Sequence, residues 1–224
     1  KQFSTKPYFE IWAHLITEKN EQFKAKWQPN EACQDFLDEK QRLLSKPLAD
    51  NIASRIKNQP ASVTGYKAQN KKQAPPLPFS LSALQIEASK NFGLPAKQVL
   101  ETCQALYEKH KVITYPRSDC RYLPNDHWQD GPKILQAINA NAGNLSAIIA
   151  AADTKRKSKA WSSQKVTAHH AIIPTQKKTS ALSATEQKIY DLIARQYLMQ
   201  FLPDVSFEEV QTEVKILTGT FIAK

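Results

Sequence analysis

At 224 residues the chain can hold one large or two modest domains with a hydrophobic core. It carries 31 lysines and arginines against 21 aspartates and glutamates, and this net charge of +10 favours polyanionic partners such as nucleic acid. Cys33, Cys103 and Cys120 are widely spaced and form no Cys-x-x-Cys pair, which argues against a disulfide framework or a zinc ribbon. Such cysteines fit a reducing cytoplasm, where we expect the protein. No apolar run approaches the roughly 20 residues of a membrane helix, so we expect no membrane partner.

The two ends of the sequence indicate a piece of a longer protein. Lys1 stands in place of methionine, the first residues are polar and basic, and no signal peptide is recognisable. Residues 218–224 break off within a strand-like pattern. We therefore expect an excised fragment.

The first third of the chain is typical of strands followed by a helix. Residues 8–15 and 21–27 alternate and carry aromatics, which predicts two strands. Trp12 and Trp27 could stack on bases, but half-buried sheet positions are commoner and we favour them. Residues 30–58 are helical in composition, with a clear apolar stripe over 46–56 and Ser45 as a possible cap, and residues 63–66 start another strand.

A boundary is predicted where the basic, amide-rich residues 67–73 meet the proline-rich residues 74–78. Proline stiffens such a stretch, so we expect a hinge or strap. Further on, Ser80 or Ser82 can cap a helix that Gly93 ends, and Ser183 with Gln187 marks the start of the last helix. The predicted helices cover about 80–92, 96–109, 125–141, 145–152 and 183–200. Residues 207–216 are a predicted strand, and residues 218–221 a turn into another.

The stretch from Lys111 to Pro124 is the most informative part of the chain. A short β-type run precedes Tyr115, and Pro116 pushes the backbone of that tyrosine away from the helical region. If the next residues stay extended, Tyr115 and Arg117 lie on one side. A phenol, with a pKa of about 10, is a weak nucleophile that a nearby guanidinium can assist. Taken alone, however, the triplet Tyr115-Pro116-Arg117 favours a simpler interpretation, a tyrosine in a turn beside a surface arginine.

Two other polar features lie downstream. His169 and His170 are neighbours, so on a strand they would point to opposite faces, and no local acid or cysteine completes a metal site. Residues 154–159 form a dense basic run that is either a solvated loop or a contact to backbone phosphate.

Three strings, taken together, resemble motifs of type IA DNA topoisomerases, especially the bacterial topoisomerase III group. Residues 113–124 (ITYPRSDCRYLP) resemble the active-site tyrosine motif, and residues 166–175 (VTAHHAIIPT) resemble the histidine motif. Residues 75–89 resemble the start of the tyrosine-bearing domain. The strings occur in the family's order, and the resemblance covers nearly the whole chain.

The resemblance implies an α+β fold. Residues 1–74 and 203–224 would form segments of a β-rich gate domain, and residues 75–202 an inserted, mainly helical domain with the active-site tyrosine. It implies transient cleavage of single-stranded DNA through a 5′-phosphotyrosyl intermediate, strand passage and religation, giving relaxation or decatenation. Tyr115 would be the nucleophile, Arg117 would stabilise the phosphate and His169 would assist. The candidate DNA-binding residues are Ser82, Gln85, Asp119, Arg121, Lys165, Thr167 and His170; Asp119 and Arg121 could equally organise the loop, and Gln85 could equally be solvated.

In this family Mg²⁺ binds an acidic toprim domain, and no nucleotide is needed. The sequence contains no Asp-x-Asp-x-Asp cluster, so we expect the metal ligands to lie outside it and the chain alone to cleave poorly. Single-stranded DNA is the expected partner, and a helicase and a single-strand-binding protein are further ones to test. Two alternatives stay open: a non-catalytic single-strand-binding module of the same shape, and a tyrosine recombinase or nickase, whose arginine pattern is not apparent.

Overall fold

The computed structural model describes residues 5–179 and 181–224. These residues divide into two compact units. One unit comprises the described residues up to Lys71 together with Ser206–Lys224, and the other comprises Lys72–Val205. Each unit has a buried apolar cluster of its own.

The first unit is built on a five-stranded sheet with the strand order β1-β2-β5-β4-β3. The β1–β2, β2–β5 and β4–β5 pairs are antiparallel. Phe221 lies opposite Trp27 on one side and Val214 on the other, and all three side chains are buried in the core. The elements are β1 (Trp12–Ile16), β2 (Gln22–Gln28), α1 (Lys46–Ile56), β3 (Ala61–Gln73), β4 (Val205–Ile216) and β5 (Gly219–Ala223).

Several predictions for this unit are confirmed. The two amino-terminal strands exist, and the Ser45 hydroxyl accepts the backbone N–H of Leu48 as the cap of α1. Trp27 is buried in the sheet, whereas Trp12 stays 46% exposed, with its indole N–H donating to Glu10.

The helix expected over residues 30–45 is wrong. Only Glu31–Phe36 form a 3-10 helix, and Leu37 then makes an isolated bridge to Leu43. Asp38 explains the turn, because its carboxylate accepts the backbone N–H groups of Lys40 and Arg42 and also the Arg42 side chain. The Arg42 side chain lowers the pKa of Asp38 to about 2.

The basic, amide-rich residues 67–73, which precede the proline-rich part of the predicted boundary, belong to β3 rather than to a hinge. The strand lies beside β4 and is exposed along almost its whole length, so its polar side chains face solvent. Lys71 pairs with Glu209, and the Thr64 hydroxyl donates to Glu213. A basic, amide-rich composition is therefore compatible with a solvated strand as well as with a loop.

The second unit is mainly helical. Its long helices pack around fully buried residues that include Leu84, Leu106 and Ile193, and burial raises the pKa of the Cys103 thiol to about 12. The helix predicted over residues 125–141 is divided in two. Residues 126–130 form a 3-10 helix, and the α-helix begins at Gly131. The α-helices are α2 (Leu81–Phe92), α3 (Ala96–Glu108), α4 (Gly131–Asn141), α5 (Ser146–Ala151) and α6 (Ala184–Leu198). No helix in the described ranges is long and apolar enough to cross a membrane.

The helix ends follow the predicted signals. The Ser80 hydroxyl accepts the Ala83 N–H at the start of α2, and Gly93 ends that helix with φ of +67°. Ser183 begins α6, but its capping partner is Glu186 rather than Gln187: each side chain accepts the other's backbone N–H. Ser180, a further residue of the expected start, lies outside the described residues.

Replacing Gly93 tests the left-handed helix end. Gly93→Ala should lower the free energy of unfolding by about 1–2 kcal/mol, because a Cβ disfavours positive φ, although it meets no atom within 4 Å. Urea unfolding followed by circular dichroism measures this. Gly143→Ala is the matched control, since Gly143 has equal space without positive φ; equal losses in the two variants would contradict the prediction.

Glu186 makes the start of α6 sensitive to pH. The Ser183 N–H, followed by the Ser183 hydroxyl and His110, outweighs partial burial and lowers the pKa of Glu186. Its folded-state pKa lies below the unfolded value of 4.5, so its stabilisation is present above about pH 4.5 and is lost as the pH falls through the lowered pKa.

We expect Glu186→Gln to be less stable than wild type near neutral pH, and the difference to shrink on acidification. The free energy of unfolding at several pH values between about 6 and 3 measures it. Glu101→Gln, an exposed change on α3, is the control and should follow wild type. If Glu186→Gln were less stable than wild type by the same free energy of unfolding at every pH, the pH dependence could not be assigned to Glu186.

Candidate active site

The three motif segments meet in the second unit through main-chain hydrogen bonds. The Thr114 N–H donates to the Ile173 carbonyl at 2.9 Å, and the Ile173 N–H donates to the Thr114 hydroxyl at 3.0 Å. The Ile172 N–H donates to Phe79, and the Leu81 N–H at the start of α2 donates to Ser118. Residues 111–124 (the tyrosine loop) are therefore anchored both to residues 166–175 (the histidine segment) and to the start of α2.

Tyr115 lies between two other rings. Its ring centroid is 4.3 Å from that of His169, at an interplanar angle of 41°. The Tyr107 ring, from the last turn of α3, meets it edge-on at 5.8 Å and 83°. Tyr115 remains 37% exposed and Tyr107 38% exposed. The two neighbours restrict the orientation of the Tyr115 ring while leaving part of it open to solvent.

The backbone after Tyr115 does not stay extended. Residues 116 and 117 form a turn, so the expectation that alternation places Tyr115 and Arg117 on one side is wrong in its premise. Pro116 is buried and Arg117 is exposed. No carboxylate among the described residues lies within ion-pair distance of the Arg117 guanidinium. Its charge is therefore available to an anion from solution.

Two residues at this site were missed by sequence reasoning. Ser118 is buried, and its hydroxyl donates to the His169 carbonyl and accepts the Cys120 N–H. A small polar residue just after a Pro-Arg turn is a weak signal for such a bond. Tyr107 belongs to an amphipathic helix and carries no signal that distinguishes it from a surface aromatic.

Two predicted DNA-binding residues have structural partners. Arg121 donates from Nε to the Pro78 carbonyl at 2.9 Å and from Nη2 to the Leu77 carbonyl at 2.8 Å. The Gln85 amide donates to the Ala96 carbonyl at the start of α3. Both side chains organise the unit, and their DNA contacts stay predictions.

The remaining polar candidates are more exposed. Thr167 donates weakly to Asp119 at 3.4 Å, which links the tyrosine loop to the histidine segment. Ser82 lies on the first turn of α2, 3.3 Å from the Ser80 hydroxyl. The Lys165 ammonium lies 4.9 Å from the centre of the Tyr122 ring.

The two adjacent histidines have different surroundings. His169 is exposed and contacts Tyr115, whereas His170 is half-buried beside His127, with ring centroids 5.0 Å apart. The His170 Nδ1 donates to the Ala171 carbonyl at 2.8 Å. Burial lowers the pKa of His170, although that hydrogen bond opposes the shift. The Nδ1 hydrogen bond supports the backbone next to His169, and a contact of His170 with DNA stays a prediction.

The described residues do not fit a metal site. Among them, no group of three or more histidine, cysteine, aspartate or glutamate side chains could hold an ion. The Mg²⁺ that the resemblance implies is therefore assigned no ligand in this part of the chain.

Comparison with known proteins gives a family. A family model described as DNA topoisomerase matches residues 1–224. The chain is 50% identical to DNA topoisomerase 3 of Salmonella typhimurium over 226 residues, and 50% identical to that of Vibrio cholerae over 229 residues. Each alignment covers 100% of this chain but only 34% and 35% of the relatives, so the chain spans about a third of their length.

A solved structure supports the fold. Full-length topoisomerase I from Thermotoga maritima matches with a TM-score of 0.57 at 19% sequence identity, covering 96% of this chain and 34% of the other. Because the sequence identity is 19%, this match supports the fold alone, which is a mixed α/β fold with an antiparallel sheet. Together with the whole-length family match, it confirms the resemblance noted in the sequence: the chain belongs to the DNA topoisomerase family.

Proposed function

We propose that this chain is the tyrosine-bearing part of a type IA DNA topoisomerase of the topoisomerase III group. Its substrate would be single-stranded DNA, cleaved transiently so that another strand can pass, with relaxation or decatenation as the result. The observation that carries the proposal is the partly exposed Tyr115, held between His169 and Tyr107 where three family motifs meet.

The proposed reaction is a reversible transesterification. The Tyr115 phenolic oxygen attacks a backbone phosphorus and loses its proton to a base, while the bond from phosphorus to the 3′ oxygen breaks. The 3′ oxygen leaves as a hydroxyl after taking up a proton, and the 5′ phosphate stays on the tyrosine. The reverse attack by that hydroxyl restores the strand, so no nucleotide is consumed.

The other candidates act around this exchange. Arg117, which is exposed and has no ion pair with any residue that the structure describes, would stabilise the negative charge that develops on the phosphate oxygens. His169 would hold the phenol ring in place through their contact and assist proton movement nearby. Asp119, Thr167, Lys165, Ser82 and His170 stay proposed DNA contacts.

We further propose that residues 1–74 and 203–224 are gate-domain segments and that residues 75–202 are the tyrosine domain. The proposal is supported by the compact unit that both ends of the described chain form, and by the helical unit that contains Tyr115. Mg²⁺ ligands, an acidic toprim domain and a cytoplasmic location are proposed for the whole protein. A helicase and a single-strand-binding protein are its proposed partners.

Removing one oxygen tests the nucleophile. In the full-length protein, Tyr115→Phe should abolish covalent capture of a labelled single-stranded oligonucleotide after denaturant trapping, because no phenolic oxygen remains. Equilibrium binding of the same oligonucleotide should be unchanged.

Tyr107→Phe is the matched control for that experiment. It keeps a ring against Tyr115 and should still yield protein attached to the DNA 5′ end. Capture by Tyr115→Phe would reject the assignment. Binding without capture by the wild-type protein would favour the non-catalytic single-strand-binding module, and attachment to the 3′ end would favour a recombinase-like enzyme.

Two arginines of the same loop should respond differently. Arg117→Gln should slow cleavage roughly 100- to 1,000-fold with little change in stability, because it removes a cation that contacts the phosphate. Arg121→Gln should instead lower the free energy of unfolding by about 1–3 kcal/mol, because it leaves the Pro78 carbonyl without its side-chain donor and the Leu77 carbonyl with Gln196 alone. Single-turnover capture and urea unfolding are measured on both variants. Slow cleavage in a stable Arg121→Gln, together with a loss of stability in Arg117→Gln, would contradict the prediction.

A further inference from the structure

A pocket of about 390 Å³ opens in the second unit between the proline-rich strap (residues 74–78) and the basic run. Its size is within the range of small-ligand sites. None of the residues assigned to the reaction at Tyr115 lines it. The apolar wall consists of Ala74, Pro75, Leu77, Tyr122 and Ala160. The cationic rim consists of Arg156, Lys157, Lys159 and Lys165, and the other polar lining residues are Ser158, Gln200 and Asp204.

The rim carries an excess of positive charge. Asp204 is the single carboxylate among the lining residues, and it pairs with Arg156 at 3.0 Å. Within the described part of the chain, Lys157, Lys159 and Lys165 have no carboxylate partner at ion-pair distance. Three uncompensated ammonium groups around one pocket favour a bound anion.

The apolar wall is held in place by buried polar side chains. Gln200, which is 1% exposed, donates to the Pro76 carbonyl at 2.7 Å, and Gln196 donates to the Leu77 carbonyl at 2.8 Å. Arg121 donates to Leu77 from the tyrosine loop. These bonds fix the strap, so its apolar side chains form a permanent surface.

The basic run is tied to the same frame. The Ser158 hydroxyl donates to the Gln200 side-chain oxygen at 2.8 Å, while the Trp128 indole donates to the Arg156 carbonyl at 3.1 Å. Gln200 thus connects the rim to the wall. A pocket whose two sides are fixed before binding loses little conformational entropy when a ligand enters.

We propose that this pocket is a subsite for one nucleotide of single-stranded DNA. The lysines Lys157, Lys159 and Lys165 bind the phosphate, and the base packs against Tyr122 and Leu77. A nucleotide fits because it joins an anion to a flat apolar ring, which matches a cationic rim facing an apolar wall. The subsite rests on the proposed function and adds to it a second place where the DNA strand is held.

Tyr122 connects this subsite to the reaction. It lies in the tyrosine loop, and its carbonyl accepts the Ala171 N–H from the histidine segment. Its ring lines the pocket beneath the Lys165 ammonium. A strand that enters the pocket is therefore held by the same loop that carries Tyr115.

Salt dependence tests the phosphate contacts. In the full-length protein carrying Tyr115→Phe, which binds without cleaving, the affinity for fluorescein-labelled oligothymidylate is measured between about 50 and 200 mM salt. The triple change K157Q/K159Q/K165Q should weaken binding and reduce the slope of log K against log salt by about 0.7 for each lost contact, or about 2 in all.

The matched control removes the same charge elsewhere in this unit. K97Q/K133Q/K178Q changes three lysines that do not line the pocket and should keep the slope of the parent. A slope that falls equally in both triple variants reflects net charge alone and would overturn the subsite, as would an unchanged slope in the pocket variant. No DNA binding by the parent would instead reject the proposed function.

A second pair of variants tests the base contact. Tyr122→Ala should weaken binding roughly 5- to 150-fold, because it removes the stacking surface, while Tyr122→Phe keeps it and should bind as the parent does. Thermal unfolding shows whether each variant is folded. If Tyr122→Ala is folded and binds like Tyr122→Phe, the base contact is rejected. If Tyr122→Ala is unfolded, the salt dependence of the two triple lysine variants decides whether the subsite exists.

Discussion

Thr114 joins the tyrosine loop to the histidine segment, and the arrangement of the site depends on this connection. Its backbone N–H donates to Ile173, while its hydroxyl donates to the Ala171 carbonyl at 3.2 Å and accepts the Ile173 N–H. Val112 and Ile113 are buried beside it, and the Thr114 bonds are themselves partly buried, which limits the access of water to them. Loss of the pairing would leave partly buried polar groups without partners, and this cost favours the observed position of the loop.

The polar side chains of the site divide by what they contact. Arg121, Ser118 and Gln85 bind backbone groups and hold segments together. His169 is exposed in contact with Tyr115, and Arg117 is exposed in the turn that follows it; in the described structure neither side chain makes an internal hydrogen bond. The first group fixes the backbone around Tyr115, whereas the second stays open to solvent.

The sequence predicted best what local chemistry determines. Ser80, Gly93 and Ser183 mark helix ends through bonds and angles within a few residues, and those ends are where they were expected. The errors lie where distant or side-chain contacts prevail: the Asp38 turn replaces a helix, and pairing beside β4 makes residues 67–73 a strand. For the site, the proximity of Tyr115 and His169 was inferable from family resemblance alone, because the contact joins segments far apart in the chain. No local pattern predicts the approach of Tyr107.

The bonds that hold the tyrosine loop span long stretches of chain. Thr114 and its partner Ile173 are 59 residues apart, and Ser118 and its partner His169 are 51 apart. Closing such loops costs entropy before any contact offsets it, and non-local contacts of this kind form late in folding. During synthesis, the tyrosine loop is therefore made before the histidine segment exists. A nascent chain has Tyr115 without the His169 ring and the backbone partners that orient its loop, so the arrangement around Tyr115 arises only after most of the second unit has been made.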